Sequence, residues 1–218
     1  MDVTPTAEQR QIREMVAEFV DEEVVPRASD IDKRDEFPHD IVSQMADLGL
    51  VGMPIPEADG GAGLDYHSYV MALEEISRGS GGLGTIAARG VGIAQAALDA
   101  ALSYAREREQ FGQPIGEFQA IQHKLADMDT KTEAARLLMH RAADLKERGD
   151  VFVTEAPQAK LYASEVSREV ANEGIQIHGG YGYTREFPAE RFYRDAKLNE
   201  IYEGTSEVLR NTIADQLL

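Results

Sequence analysis

The hexapeptide YEGTSE at 202–207 sets a carboxylate, Glu203, before a glycine and two hydroxyl residues, with a second carboxylate at Glu207. Two chemistries suit that order. A carboxylate on a tight turn is a general base when apolar surroundings raise its affinity for a proton. The same residues also make an ordinary helix start, which can receive phosphate. Three further stretches carry groups of interest: REREQFGQPI around Arg108, QIHGGYGYT around 176–184, and RDAK at 194–197. Each alone is commonplace, as a helix-end arginine, a glycine turn and a local ion pair. Arg194 and Asp195 read as a pair or network inside a bundle. His123 and His178 have no partners at ligand spacing, so no metal site is expected, and His178 reads as a packing or hydrogen-bonding residue.

Helical periodicity runs through the elements that would position these groups. Thr6 and Gln9 have capping-box spacing ahead of the stripe Ile12, Met15, Val16, Phe19 and Val20, and Pro26 is expected to end that helix. Pro38 suits the first turn of a second helix whose face carries Ile41, Met45 and Leu48, with Gly49 as its C-cap. A Pro- and Gly-rich loop follows, then a third helix from Asp65 with Tyr66, Tyr69, Val70, Leu73 and Ile76 on one side. GSGGLG at 79–84 has the composition of a flexible linker. The next helix is rich in Ala and Gly, which lets neighbours approach closely and places it inside a bundle. QFGQPIGEF breaks it. A long amphipathic helix carries Ile121, Leu125, Met128, Ala135, Met139 and Ala142 and ends at Gly149, and two more helices and a short helical segment complete the chain. No alternating run marks a strand. The fold class expected is all-α, a helical N-terminal domain packed on a C-terminal four-helix bundle. The divisions expected are 1–78, a glycine-rich link at 79–84, and 85–218.

Composition removes several classes of function. With 39 acidic and 22 basic residues the net charge is −17, which disfavours nucleic acid and anionic membrane surfaces. There is no cysteine, so disulfides and thiolate metal sites are excluded. The polar, acidic N-terminus is no signal peptide, no apolar run reaches membrane-span length, and a cytoplasmic location is expected.

Taken together and in order, REREQFGQPI, QIHGGYGYT, RDAK and IYEGTSEVLR, preceded by the small-residue helix GIAQAALDAALSYA, resemble the C-terminal domain of the acyl-CoA dehydrogenase family. LGLVGMPIPEADGGAGLDY and ALEEISR resemble its helical N-terminal domain. The resemblance implies an FAD enzyme that converts a saturated acyl-CoA thioester to the 2,3-enoyl-CoA. Glu203 would be the base that takes the α-proton, and the β-hydrogen would leave as hydride to flavin N5. The backbone N–H of Glu203, with a flavin ribityl hydroxyl, would bind the thioester oxygen. Tyr202 and Gly204 would meet substrate. Thr205, Ser206 and Glu207 would meet the flavin ADP portion, though many relatives have Gln at the Glu207 position. Arg108, Gln110 and Phe111, the pair Phe118 and Gln119, and the turn residues Gln176, Gly179 and Gly180 would bind the flavin of a neighbouring subunit. That implies a homo-oligomer, a tetramer or dimer, and an electron-transfer flavoprotein as electron acceptor.

The resemblance also has a break. A family member continues after ALEEISR into a middle β domain, whereas this chain writes GSGG and resumes at the bundle, which reads as an engineered or reconstructed deletion. An arginine that usually precedes the small-residue helix is replaced by the run Gly81, Gly82, Leu83, Gly84, and a distal arginine of the last helix is Asp215. Two readings stand at this level. One is a flavoenzyme with weakened activity; the other is an inert all-α scaffold or a plain FAD-binding module.

Overall fold

The structure is a computed structural model that describes residues 4–34, 37–84 and 86–218. Residue 85, the expected start of the C-terminal part, lies outside the described residues, as do the first three residues of the N-terminus.

Helix α1 (Ala7–Phe19) opens with the expected capping box, Gln9 N–H donating to Thr6 Oγ1 at 3.2 Å and Thr6 N–H to Gln9 Oε1 at 2.9 Å. Its end differs from expectation. The chain widens into a π-turn at Val20–Val24, tightens into a 3₁₀ turn at Val25–Arg27, and continues as α2 (Ala28–Arg34). Pro26 therefore begins a new turn, where its missing N–H is harmless. The wide turn keeps both Val20 and Val24 fully buried. Helix α3 (His39–Asp47) buries Ile41 and Met45 and is followed by Gly49 at φ +75°. Leu48, expected on the same face, is exposed.

Helix α4 (Tyr66–Gly79) starts at Asp65, whose carboxylate accepts from Ser68 N–H at 2.8 Å. It is buried on all sides from 71 to 77. Two carboxylates lie in that stretch and both are paired. Glu74 accepts from Arg136, and Glu75 from Arg13 and Arg78. A buried charge persists only when so matched.

Helices α5 (Ile86–Glu107), α6 (Gln119–Glu147), α7 (Glu155–His178) and α8 (Ala189–Asn199) form the four-helix bundle, with α5 and α7 at its centre. The small residues of α5 act as expected. A Cβ on Gly90 would lie 2.7 Å from the Ala163 carbonyl oxygen of α7, and one on Gly92 would fall into the Glu74 carbonyl of α4. Helix α9 (Ser206–Asp215) closes the chain. One hydrophobic core runs from Val16 in α1 through Ile76 and Ile93 to Phe192 in α8, so the N-terminal helices and the bundle share an interior.

Two local readings are corrected. A two-residue hairpin, β1 (Glu109–Gln110) with β2 (Gln113–Pro114), stands where no strand was expected. It was invisible because its turn, Phe111-Gly112, takes positive φ at both positions and the strands are too short to alternate. The 79–84 segment, linker-like in composition, is a packed corner. Gly79, Ser80, Gly81 and Gly84 are buried there, and Gly81–Leu83 is a 3₁₀ turn. A Cβ on Gly79 would press Val20, one on Gly81 would press Asp195, and one on Gly84 would overlap Ser77. These glycines serve close approach, not flexibility.

Candidate active site and cofactor surface

The turn between α8 and α9 is built from Glu200 to Thr205. Glu203 has φ +52° and Gly204 φ +97°. Positive φ is ordinary for glycine and costly for glutamate, of order 1–3 kcal/mol. The Glu203 side chain is exposed, so the residues of this chain do not themselves supply the apolar surroundings expected around a base. Thr205 caps α9, its Oγ1 accepting from Val208 N–H at 3.3 Å. Glu207 lies in the first turn, where its own backbone N–H and the Thr205 hydroxyl hold its carboxyl below the usual range. Ser206 Oγ is buried and has no hydrogen-bond partner among the described residues.

Two buried cations support this turn, and sequence reasoning missed both. Lys160 of α7, 4% exposed, donates from Nζ to the carbonyl oxygens of Asn199 (2.7 Å), Tyr202 (3.0 Å) and Gly204 (2.6 Å). Burial pushes its pKa down, opposed by the Glu203 and Glu200 carboxylates. Arg89 of α5, also 4% exposed, donates to the Tyr202 hydroxyl at 2.5 Å, and its guanidinium carbon lies 5.2 Å from the Tyr202 ring centroid. Arg89 Nε is buried without a partner among the described residues. Asp195, whose carboxyl burial pushes up and the Arg191 and Arg89 charges pull back, faces this group. The available signal was a lone cation on the apolar stripe of a helix, Lys160 between Ala159 and Ala163 and Arg89 beside Ala88.

Arg194 and Asp195 do not pair. Arg194 forms a fork to Asp32 of α2 at 2.7 and 3.0 Å and also binds Glu190, while Asp195 faces Arg191 at 4.0 Å. The Arg194–Asp32 fork ties the bundle to the N-terminal helices. His178 is a packing residue, buried, with Nδ1 2.7 Å from the Gly174 carbonyl oxygen and its ring stacked on Tyr104 at 4.4 Å.

The remaining candidates gather at the other end of the bundle. Arg108 follows α5 with its guanidinium 5.8 Å from the Tyr181 ring, and its carbonyl accepts from Ile115 N–H at 2.7 Å. Phe111, 94% exposed at the hairpin tip, lies edge-on to Phe118 at 6.1 Å. Gln110 and Gln119 are exposed beside them, Gln110 donating to the Glu109 carbonyl at 2.7 Å. Gln176 is exposed at the end of α7, and the Gly179 and Gly180 positions face open space. The candidates thus fall into two groups, Tyr202 to Glu207 and Arg108 to Gly180. Roughly 24 Å of helix axis separates Lys160 beneath the first from Gln176 in the second.

The residues suit an FAD cradle in both groups. The glycine pair lets a ligand approach the backbone closely, Arg108 offers an exposed fork for pyrophosphate, and Ser206 offers an unpartnered hydroxyl. No helix among the described residues is long and apolar enough to cross a membrane.

With this architecture and these groups in place, comparison with known proteins is specific. The family described as acyl-CoA dehydrogenase, C-terminal domain, matches residues 82–218, and the acyl-CoA dehydrogenase N-terminal domain matches residues 6–110. The chain belongs to the acyl-CoA dehydrogenase family. It is similar to the probable acyl-CoA dehydrogenase YngJ of Bacillus subtilis, 49% identical over 178 residues, covering 81% of this chain and 45% of that protein. It is also 50% identical over 150 residues to the mitochondrial short-chain specific acyl-CoA dehydrogenase of Bos taurus, covering 69% of this chain and 36% of the relative. The butyryl-CoA dehydrogenase structure from Megasphaera elsdenii superposes with a TM-score of 0.95 at 22% identity over 100% of each chain, a likeness of fold. The chain spans less than half the length of these two curated relatives. Nothing in the matches supports the engineered origin suggested by the glycine run.

Proposed function

We propose that the chain binds FAD and oxidises an acyl-CoA thioester to its 2,3-enoyl form, with Glu203 as the base. The observation that carries this reading is the Glu203 turn, where a non-glycine residue is kept at φ +52° with its carboxylate in the open. Strain retained at one exposed carboxylate is a mark of function rather than of packing. FAD, when bound, would supply the two-electron acceptor for the β-hydrogen. The chain's residues do the rest. Glu203 receives the α-proton, and Tyr202 and Gly204 shape the ground beside it. The Glu203 N–H faces the thioester oxygen. Thr205, Ser206 and Glu207 meet the ADP portion at the start of α9, where the helix dipole offsets the carboxylate of Glu207.

The separation of the two groups supports a homo-oligomer. A flavin held at the Glu203 end of one chain would take Arg108, Gln110, Phe111, Phe118, Gln119, Gln176, Gly179 and Gly180 from a second, in a dimer or tetramer. An electron-transfer flavoprotein is the proposed acceptor of the electrons.

Flavin titration tests this reading. The purified chain is expected to turn yellow with stoichiometric FAD and to bleach when butyryl-CoA is added without oxygen. Glu203→Gln should keep the flavin and lose about 10²-fold in turnover, the usual worth of a positioned base. A polypeptide that stays colourless at saturating FAD overturns the proposal. It would leave the second reading, an inert all-α scaffold, which the length of the chain relative to its relatives favours.

A further inference from the structure

We propose that Lys160 is a positioning residue that aims and polarises the Glu203 peptide N–H as an oxyanion donor. What the donor binds rests on the function proposed above; the clamp itself rests on geometry.

An ammonium has three protons, and each of the three contacts of Lys160 goes to a carbonyl around one turn: Asn199, Tyr202 and Gly204. Lys160 is therefore fully engaged and is neither a hidden base nor a nucleophile. Lys160 also lines an apolar cleft of about 250 Å³ between α4, α6 and α7, with Val70, Leu73, Met139 and Ala156. A methionine would fill that wall as well. The charged head is what the turn requires.

Peptide geometry converts this clamp into an arrangement on the opposite side. The described peptide bonds are trans, so C=O and N–H of one unit point in opposite directions. With the Tyr202 carbonyl turned inward to the ammonium, the Glu203 N–H points outward. With the Gly204 carbonyl turned inward, so does the Thr205 N–H. Neither N–H has a hydrogen-bond partner among the described residues. A cation bound to the carbonyl of an amide draws electron density from its nitrogen, so the far N–H becomes a stronger donor. The same contacts hold the backbone on both sides of Glu203, which fixes its positive φ. Ser164 Oγ lies 3.2 Å from the same Asn199 carbonyl, its single proton shared with the Lys160 carbonyl oxygen at 2.7 Å. The turn is thus over-determined from behind and open in front, the layout that stabilises developing negative charge without reorganisation.

Two independent readouts test this. The first needs no flavin. In Lys160→Met, hydrogen exchange at Ile201, Tyr202 and Ser206, whose amides are bonded within the turn, should rise about tenfold or more while exchange in the middle of α5 stays as in the parent, the behaviour of a local opening. The second uses the flavin-loaded chain. Affinity for the enolate of acetoacetyl-CoA and kcat should both fall about tenfold or more, with butyryl-CoA binding within about twofold, because only the charged state calls on the donor. Lys160→Gln, whose amide keeps two of the three N–H donors without the charge, should lie between, and it serves if Lys160→Met fails to fold. Unchanged exchange in both variants overturns the clamp. Equal losses of acetoacetyl-CoA and butyryl-CoA binding overturn the oxyanion role and leave only packing. If the parent takes up no flavin, the function proposed above falls, and exchange alone decides the clamp.

Discussion

Arg108 and Lys160 show how differently single residues announce themselves. Arg108 is exposed, stands beside the Tyr181 ring, and belongs to a motif that could be read directly. Arg108→Ala is expected to lower FAD occupancy about tenfold at limiting cofactor, because the proposed contact with pyrophosphate would lose its planar fork. Flavin absorbance after gel filtration measures it, and unchanged occupancy would remove Arg108 from the site. The turn at Glu203 was legible because the following glycine and hydroxyls mark it. Lys160 and Arg89 were not, because a lysine or arginine in a helix reads as solvated unless its whole surroundings are known. Their function is set by carbonyls and a hydroxyl some forty and more than a hundred residues away in sequence, a distance no local pattern spans.

Among the helices, α5 is the one whose composition states its place. Gly92 faces the Glu74 carbonyl with no space for a methyl group, whereas a Cβ on Gly174 of α7 would lie 3.6 Å from the Ala97 carbonyl oxygen, an ordinary contact. Gly92→Ala should destabilise the fold by about 1–3 kcal/mol through overpacking. Gly174→Ala should cost nothing or stabilise slightly, since alanine is the better helix former. Thermal unfolding of the two variants side by side gives the comparison, and equal midpoints would refute the close-contact reading. The apolar stripes of α1, α4 and α6 were legible for the same reason, a 3.6-residue period. The π-turn at Val20–Val24 was not, because its extra residue shifts the period just where Pro26 suggests a stop. The Phe111-Gly112 hairpin was missed because its conformation is carried by two dihedral angles rather than by any hydrophobic pattern.

At the scale of the molecule, the all-α class and the union of two helical parts were readable, while the seam between them was not. The halves meet through buried polar pairs as well as core. One of these is the stack of His67 on His140, with Nδ1 atoms 3.4 Å apart, facing Arg136, Arg13, Glu133 and Asp144. Burial, with help from His67, Arg136 and Arg13, pushes the His140 pKa down to about 4. The unfolded chain then binds more protons between about pH 6.5 and 4, so stability rises with pH across that window and is lost on acidification, by up to roughly 3 kcal/mol. Denaturant unfolding at a series of pH values measures the slope, and His140→Asn should flatten it; a parent curve already flat there would exclude the histidine. The packed corner at 79–84 has a different use. Three of its four glycines are pressed against neighbours, but Gly82 is exposed, and a Cβ there would meet only Ser80 Oγ, at 3.7 Å. In a polypeptide without a single thiol, a cysteine placed there gives one unique attachment point, at the junction itself, for a dye or spin label that reports on both halves at once.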